Sequence, residues 1–194
     1  MPPAALVLAS TSTYRRELLM RLRVPFSTAA PGVDESPTPH QTPLEHAQRL
    51  ALEKATAVAA TRPDTTVIGS DQVAVCKGEL LEKPGNAERC REQLRWLSAA
   101  AATFHTAVAV LLSGRGQTLQ FVDTTTVYFR ALSEPEIERY IAAEQPFDCA
   151  GGFRSEGLGI ALFARVVSED PTALIGLPLI AVARALRQLG YEVP

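Results

Sequence analysis

The chain has 194 residues, of which 46% are hydrophobic and 21% charged, as in ordinary globular proteins. Nineteen Lys and Arg residues nearly balance 21 Asp and Glu residues, and the resulting net charge of −2 provides no overall positive field that would attract nucleic acid or an anionic membrane. A chain of this length is expected to form one domain with a substantial hydrophobic core.

Two further features predict a cytoplasmic protein. No apolar run reaches the ~20 residues that a membrane-spanning helix needs, and Met1-Pro2-Pro3 lacks the pattern of a signal peptide. The three cysteines, Cys76, Cys90 and Cys149, form no CxxC pair. Their spacing argues against a structural zinc site and fits a reducing compartment.

The first third of the chain predicts a strand, two helices and a long loop. Residues 5–9 are apolar and predict a buried strand, and Ser12 is placed to cap the helix that follows. The inward positions of this helix recur at helical spacing: Tyr14, Leu18, Leu19 and Leu22. The segment 25–43 contains five prolines and is predicted to be mostly loop. Thr42 then opens a capping box, and the helix after it extends to about Ala60.

The middle of the chain predicts a strand followed by a hairpin. Residues 65–69 form the strand, which is expected to end at Ser70-Asp71-Gln72. Residues 73–76 and 79–81 are expected to pair around a turn at Lys77-Gly78.

The remaining sequence continues to alternate helices and strands. Three more helices are predicted to begin at Asn86, Ser133 and Pro178. Three more strands are predicted at 103–113, 117–129 and 157–167, the first two joined by Gly114-Arg115-Gly116. The last helix is expected to stop at Gly190. This alternation, with paired strands in the middle, predicts a mixed α/β protein.

Two adjacent arginines stand in the opening turn of the first predicted helix. Arg15 and Arg16 carry the wrong sign for the helix macrodipole, whose N-terminal end is already partly positive. Either both side chains extend into solvent, or they share an anion with the free backbone N–H groups and the hydroxyls of Ser10 and Ser12. The second interpretation predicts a phosphate-binding turn.

Two carboxylates are candidates for metal binding or catalysis. Asp71 follows a buried strand, the position at which α/β sheets often present functional side chains, although an Asx-turn is the plainer interpretation. Glu35 lies in a predicted loop, and together the two acids can hold Mg²⁺, which prefers oxygen ligands. Asp34 remains an alternative to Glu35.

Lysine is rare, since only three of the 19 basic residues are lysines. Helical periodicity places Lys54 on the exposed side of its helix, where a solvated lysine is the plain interpretation. Lys83 follows the predicted hairpin and can reach the same pocket as Lys54. Because the chain strongly prefers arginine, these two lysines are stronger functional candidates than lone lysines would be. The sequence lacks a GxSxG elbow, a Walker A loop and a GxGxxG fingerprint, which disfavours serine hydrolases, P-loop enzymes and Rossmann dehydrogenases.

Taken in order, many blocks of this sequence resemble the Maf family of nucleoside triphosphate pyrophosphatases. The blocks are Leu8-Ala9-Ser10-Thr11-Ser12, Arg15-Arg16, Val33-Asp34-Glu35, Glu53-Lys54-Ala55, Gly69-Ser70-Asp71-Gln72, Glu82-Lys83-Pro84, Cys149-Ala150-Gly151-Gly152-Phe153, Ser155-Glu156-Gly157 and Gly176-Leu177-Pro178-Leu179. Within the family, Ser70-Asp71-Gln72-Val73 and the segment 153–159 are most similar to the YceF type, which is associated with 7-methyl-GTP.

The resemblance extends nearly from end to end and implies a single Maf-like domain over residues 1–194. It implies the inosine-triphosphatase-like (Maf/Ham) α/β fold, with a mixed twisted sheet, helices and two lobes around a central cleft, usually as a homodimer. The implied reaction is hydrolysis between the α and β phosphates with a divalent metal, Mg²⁺ or Mn²⁺. The products are a nucleoside monophosphate and pyrophosphate.

The resemblance also implies roles for individual residues. Asp71 matches the proton acceptor, and Tyr14, Gln72 and Glu156 match positions tied to substrate choice. The polar and basic wall of the cleft is matched by Ser10, Arg15, Arg16, Lys54 and Lys83. Tyr14 departs from relatives of this type, which often carry tryptophan, and it offers a smaller aromatic face.

These roles agree with the chemistry of the implied substrate. N7-methylated guanine is cationic, so Tyr14 can stack on it through a cation–π contact, and the Glu156 carboxylate can accept the N1–H and amino hydrogens of the base. Two alternatives stay open: the same reaction on dTTP or UTP, and a non-catalytic nucleotide-binding regulator of cell division. DNA binding is disfavoured, because the only basic cluster spans one helical turn.

Overall fold

The computed structural model describes residues 3–114 and 116–194 and divides into two compact units. The first unit comprises the residues up to Gln72 with His105–Asp123 and Asp170–Pro194, and the second comprises Val73–Phe104 and Thr124–Glu169. Arg115 of the predicted inter-strand loop lies outside the described residues, as do Met1 and Pro2 of the segment in which no signal-peptide pattern was found.

The predicted mixed α/β class is confirmed by one sheet of seven strands and by five α-helices within the described residues. Hydrogen-bonded neighbours follow the order β2-β1-β3-β5-β6-β7, and β4 pairs with β3. The strands are β1 (Ala5–Ala9), β2 (Phe26–Ala29), β3 (Thr65–Cys76), β4 (Glu79–Leu80), β5 (Ala101–Leu112), β6 (Gln117–Phe129) and β7 (Phe163–Val167). The helices are α1 (Thr13–Met20), α2 (Pro43–Ala59), α3 (Ala87–Leu97), α4 (Glu134–Glu144) and α5 (Leu179–Gln188). Among the described residues, no helix is long and apolar enough to cross a bilayer.

The first unit is built on parallel pairing of β1 with both β2 and β3. Helices α1 and α5 pack on this sheet through a buried apolar cluster: Leu6, Leu8, Leu18, Leu19, Ile68, Val182 and Leu186. The predicted loop over 25–43 is wrong at its start, because residues 26–29 form β2 in register with Leu6–Ala9. This four-residue edge strand exposes Ser27 and Thr28, so it lacks the apolar signature of a buried strand.

Strand β3 joins two predicted strands, residues 65–69 and the first arm of the predicted hairpin at 73–76, into one continuous strand. It continues through Ser70, Asp71 and Gln72 to Cys76, so the expected strand end at these residues is wrong. The partner strand ends earlier, since the last β1–β3 pair is Ala9 with Gly69. Asp71 therefore lies within a strand, two residues beyond the end of its parallel neighbour.

The capping patterns of the sequence correctly located the helix starts. Ser12 accepts a hydrogen bond from the Arg15 backbone N–H at the start of α1, and Thr42 and Glu45 form the capping box of α2. Asn86 caps α3 as Ser12 caps α1, with its side-chain oxygen accepting a hydrogen bond from the Arg89 backbone N–H. Helix α5 ends before Gly190, which has a positive φ of 86°. Glycine adopts this conformation easily because it has no Cβ.

The second unit contains the predicted hairpin and a cluster of aromatic side chains. Lys77 and Gly78 both have positive φ, 51° and 86°, as the tight turn between β3 and β4 requires. Four rings meet edge to face at centroid distances of 5.2–5.6 Å: Phe104, Phe129, Phe153 and Phe163. These contacts form the aromatic part of the core of this unit.

The predicted strand over 157–167 is half wrong. Residues Leu158–Leu162 form a 3-10 helix, and only Phe163–Val167 form β7, antiparallel to β6. The chain turns sharply here: a Cβ on Gly159 would lie 2.3 Å from the Arg154 carbonyl oxygen. Only glycine fits so close to this backbone, and the apolar run from Leu158 forms a turn of 3-10 helix here instead of a strand.

Candidate functional site

The turn between β1 and α1 uses both of its serine hydroxyls to fix the backbone. The Ser12 backbone N–H donates to Ser10 Oγ at 3.1 Å, and the Arg15 N–H donates to Ser12 Oγ at 3.3 Å. Each hydroxyl keeps its own O–H hydrogen as a donor for a ligand. No acidic residue stands in the first turn of α1, so the partial positive charge of the helix start is not neutralised from within the helix.

The close approach of α2 to β3 brings the Lys54 side chain to Asp71. A Cβ built on Gly69 would lie 2.2 Å from the Ala51 carbonyl oxygen and 2.6 Å from the Ala55 nitrogen, so the helix backbone rests directly on this glycine. Lys54 stands on the same helical turn, and Asp71 is two residues beyond Gly69. The solvated position predicted for Lys54 is therefore wrong, since the residue is only 5% exposed.

The Lys54 ammonium lies between two carboxylates. Its Nζ is 2.7 Å from Asp71 Oδ1 and 2.6 Å from Glu35 Oε1. Asp71 is buried, whereas the Glu35 side chain is 60% exposed. The pair of acids thus converges on a single cation from β3 and from the segment after β2.

Asp34, the alternative to Glu35, forms hydrogen bonds within its own turn. Its Oδ1 accepts hydrogen bonds from the Ser36 backbone N–H at 2.9 Å and from the Ser36 hydroxyl at 2.7 Å. These bonds lower the pKa of the Asp34 carboxyl. The geometry is that of an Asx-turn, which orients the segment containing Glu35.

Arg15 lies in the field of the same two acids. Burial lowers the pKa of its guanidinium, while the charges of Asp71 and Glu35 act in the opposite direction. Its Nε–H donates to the Gly176 carbonyl oxygen at 3.0 Å. Arg16, by contrast, is exposed on α1.

Gln72 binds the backbone of the segment that precedes α5. Its side-chain nitrogen is 2.8 Å from Thr106 Oγ1, 2.9 Å from the Ala173 carbonyl oxygen and 3.1 Å from the Leu174 carbonyl oxygen. Gln72 therefore contributes to the shape of the first unit as well as being a candidate for substrate choice. Tyr14 is half-buried in the first turn of α1.

Two predicted site residues belong to the second unit. Lys83 is exposed in the segment between β4 and α3. Glu156 lies 3.9 Å from Arg154 Nε and accepts a hydrogen bond from the Ser155 hydroxyl at 3.3 Å. Arg154 also pairs with Glu144 at 3.1 Å.

Glu35 and Asp71 provide a donor set that suits a hard divalent cation. Their carboxylate oxygens already converge on one positive charge, and carboxylates with additional waters are the usual ligands of Mg²⁺. Within residues 3–114 and 116–194, no group of three or more His, Cys, Asp or Glu side chains has the arrangement of a metal site. A metal here is therefore expected to take further ligands from water or substrate.

The sequence of the chain matches a family model over most of its length. Residues 5–189 match the family described as Maf-like protein. The chain belongs to this family. Its relatives include a 7-methyl-GTP pyrophosphatase from Xanthomonas axonopodis pv. citri, 54% identical over 97% of this chain and 98% of the relative. Another 7-methyl-GTP pyrophosphatase, from Bordetella pertussis, is 52% identical over 98% of this chain and 94% of the relative.

Solved structures support the fold assignment for this Maf-like chain. A HAM1 protein from Coxiella burnetii matches with a TM-score of 0.51 and 16% identity, covering 95% of this chain and 99% of that one. The Ham1 protein of Staphylococcus aureus matches with a TM-score of 0.52 and 14% identity, covering 95% and 98%. The predicted inosine-triphosphatase-like (Maf/Ham) fold is confirmed at this level.

The structure brings together the central part of the site predicted for a Maf-like protein. Lys54, Asp71 and Glu35 form one ion-paired group, and Arg15 lies within its field. Sequence reasoning missed the roles of Ser70 and Thr106, both fully buried, which bond to the segment preceding α5. The sequence signal that could have revealed these two residues is a hydroxyl side chain inside an otherwise apolar strand.

Proposed function

We propose that this Maf-like chain hydrolyses the α–β phosphate bond of 7-methyl-GTP, giving 7-methyl-GMP and pyrophosphate. The observation that supports it best is the Lys54 ammonium held between Asp71 and Glu35, with Arg15 in the same electrostatic field. Cations and carboxylates in one group suit a polyphosphate and its metal. The 7-methyl-GTP pyrophosphatases named above, at 52–54% identity, support the choice of substrate.

The phosphate chain is proposed to bind to the cations and to the start of α1. Arg15 and Lys54 offer positive charge, and the hydroxyls of Ser10 and Ser12 offer O–H donors beside the helix N-terminus. Arg16 and Lys83 are also proposed to bind phosphate, on the basis of their positions in the sequence alone. These groups neutralise negative charge that moves onto the leaving pyrophosphate as the bond breaks.

Asp71 is proposed to act on the attacking water, either as the base that accepts its proton or as a ligand that holds the divalent metal. Glu35 is proposed as the second metal ligand, with Mg²⁺ or Mn²⁺ as the ion. When bound, such an ion polarises phosphate oxygens and lowers the pKa of bound water. Lys54 Nζ uses two of its three hydrogens on the two acids and has one for a phosphate oxygen, and a metal held by both carboxylates would displace the ammonium further towards the phosphate.

Base selection is proposed to involve Tyr14, Gln72 and Glu156. Tyr14 offers an aromatic face to the cationic N7-methylguanine, and the Glu156 carboxylate offers acceptors to its N1–H and amino group. The nitrogen of Gln72 is engaged with the backbone before α5, so its oxygen is the atom proposed to meet a base. We further propose that the protein acts in the cytoplasm as a homodimer.

A nucleotide panel tests the proposed function. Purified protein is incubated with Mg²⁺ or Mn²⁺ and with 7-methyl-GTP, GTP, dTTP or UTP, and released pyrophosphate is measured. We expect the highest kcat/KM with 7-methyl-GTP. Equal or faster turnover of dTTP or UTP would reject the substrate, and tight nucleotide binding without metal-stimulated turnover would support a non-catalytic regulator instead.

The Asp71→Asn variant tests the assignment of the reacting carboxylate. We expect loss of most activity, about 10²–10⁴-fold for removal of a general base. The matched control is Asp64→Asn, the same change at an exposed residue whose φ of 55° also suits asparagine. Full activity in Asp71→Asn would mean that another residue activates the water.

A further inference from the structure

We propose that Ser70 and Thr106 are positioning residues that orient Arg15 for phosphate binding. They act through the backbone turn Ala173–Gly176, which is called here the α5 approach turn. This inference rests on the proposed function in assigning a polyphosphate to Arg15. The contacts that carry it all lie within the first unit.

The carbonyl oxygen of Gly176 joins Arg15 to Ser70. It accepts one hydrogen bond from Arg15 Nε–H at 3.0 Å and another from the Ser70 hydroxyl at 3.1 Å. Ser70 is fully buried in β3, directly before Asp71, so its hydroxyl has little freedom to move. The direction of the Arg15 side chain is thus tied to the strand that carries the proposed catalytic acid.

The rest of the α5 approach turn is held from β3 and β5. Thr106, fully buried in β5, donates its hydroxyl hydrogen to the Ala173 carbonyl oxygen at 3.0 Å. The same hydroxyl oxygen accepts from the Gln72 side-chain nitrogen, which also reaches the Ala173 and Leu174 carbonyl oxygens. Gly176 ends the turn at a φ of 128°, a conformation that side chains rarely adopt.

The bond through Nε gives Arg15 a particular orientation. It uses the one guanidinium hydrogen on the inner nitrogen and keeps both terminal nitrogens for a ligand, with four hydrogens in a planar fork. An arginine side chain that no hydrogen bond restrains loses considerable rotamer entropy when it binds a phosphate. A guanidinium already fixed by Gly176 avoids part of that loss, so an intact α5 approach turn should strengthen phosphate binding.

The primary test compares two threonine variants. Thr106→Val removes the hydroxyl that holds Ala173 and keeps the side-chain shape, and we expect kcat/KM to fall about three- to tenfold, the usual effect of one hydrogen bond. Thr125→Val is the matched control, because Thr125 is equally buried in β6 and bonds to Ser168 instead. Thr106→Ser, which keeps the hydroxyl, should restore most of the loss. Equal kinetics in Thr106→Val and Thr125→Val would overturn the proposal.

A double-mutant cycle separates positioning from a general structural effect. Arg15→Lys has no Nε–H and cannot bond to Gly176 in the same way. If Ser70 and Thr106 act through Arg15, then Ser70→Ala or Thr106→Val should add little further loss in the Arg15→Lys background. Losses that multiply fully would show that the two hydroxyls support only the fold. Ser70→Ala also provides the measurement if Thr106→Val does not fold, as judged by circular dichroism.

A binding measurement keeps this inference distinct from the proposed reaction. Calorimetric titration of inorganic tripolyphosphate reports on the phosphate site without hydrolysis of a nucleotide. The affinity should fall in Thr106→Val and not in Thr125→Val, even if the wild-type chain fails to turn over 7-methyl-GTP. Absent turnover alone would therefore reject the proposed function, whereas unchanged tripolyphosphate affinity in Thr106→Val would reject the positioning role.

Discussion

Replacing Gly69 by alanine should both destabilise the protein and disturb its candidate site. The added methyl group would lie 2.2 Å from the Ala51 carbonyl oxygen, 2.6 Å from the Ala55 nitrogen and 2.9 Å from the Ala55 Cβ. The two closest atoms belong to the helix backbone, so rotation of a side chain cannot relieve the contact. Helix α2 would have to move away from β3 by roughly 1 Å in a tightly packed interior.

The size of the effect follows from the packing. Overpacking a core by one methyl group usually costs about 1–3 kcal/mol, and backbone contacts place Gly69→Ala near the upper end of that range. For a chain of this length such a loss corresponds to a fall in Tm of roughly 6–12 °C. The same displacement would stretch the 2.7 Å contact between Lys54 and Asp71, so kcat/KM should fall as well.

Urea unfolding and thermal unfolding measure the loss of stability directly. A second substitution identifies its source: Ala55→Gly removes the Cβ at 2.9 Å but leaves both backbone contacts, so it should not rescue Gly69→Ala. A free energy of unfolding within about 0.5 kcal/mol of the wild-type value would refute the reasoning. It would mean that α2 does not rest on this glycine and that another feature brings Lys54 to Asp71.

Three further predictions concern the second unit. The Ser133 capping box and Arg130 lower the pKa of Glu136 from its usual 4.5 to about 2. The ionised form of Glu136 therefore stabilises the fold fully above pH 4.5, and this contribution is lost as the pH falls to 2. Unfolding measured at several pH values should show that the stability difference between wild type and Glu136→Gln shrinks over this range. Burial raises the pKa of the Cys90 thiol to about 11, so mass spectrometry after iodoacetamide treatment at pH 7.5 should find Cys90 unmodified in the folded protein; rapid alkylation would contradict its burial. Asn86→Ala removes the cap of α3 and should cost about 1 kcal/mol in urea unfolding, whereas Asn86→Asp should cost much less.

Local sequence signals determined where most helices begin. Thr42 with Glu45 and Ser133 with Glu136 form the capping boxes that their spacing predicts, because each box is made by residues three positions apart. The pairing of β3 with β4 was equally predictable, since the Lys77-Gly78 turn fixes its own register. Of the residues that the basic start of α1 and the scarcity of lysine indicate, Lys54 contacts Asp71 and Glu35, and Arg15 lies in the field of these two acids.

Other features depended on contacts between distant parts of the chain. Strand β2 forms only because β1 offers it a parallel edge, and its sequence has no strand pattern of its own. The turn over Leu158–Leu162 depends on the close approach of Gly159 to Arg154, so its apolar residues resembled a strand in the sequence.

The sequence by itself determined the types of charged residue available to the site and the local caps that begin its helices. Tertiary structure decided that Lys54 is buried, that β3 continues past Asp71, and that the two side chains meet. The physical reason is range: a cap is satisfied within one helical turn, whereas the position of Lys54 depends on the missing side chain of Gly69 in another element. Helical periodicity describes one helix at a time and carries no information about the glycine on which that helix packs.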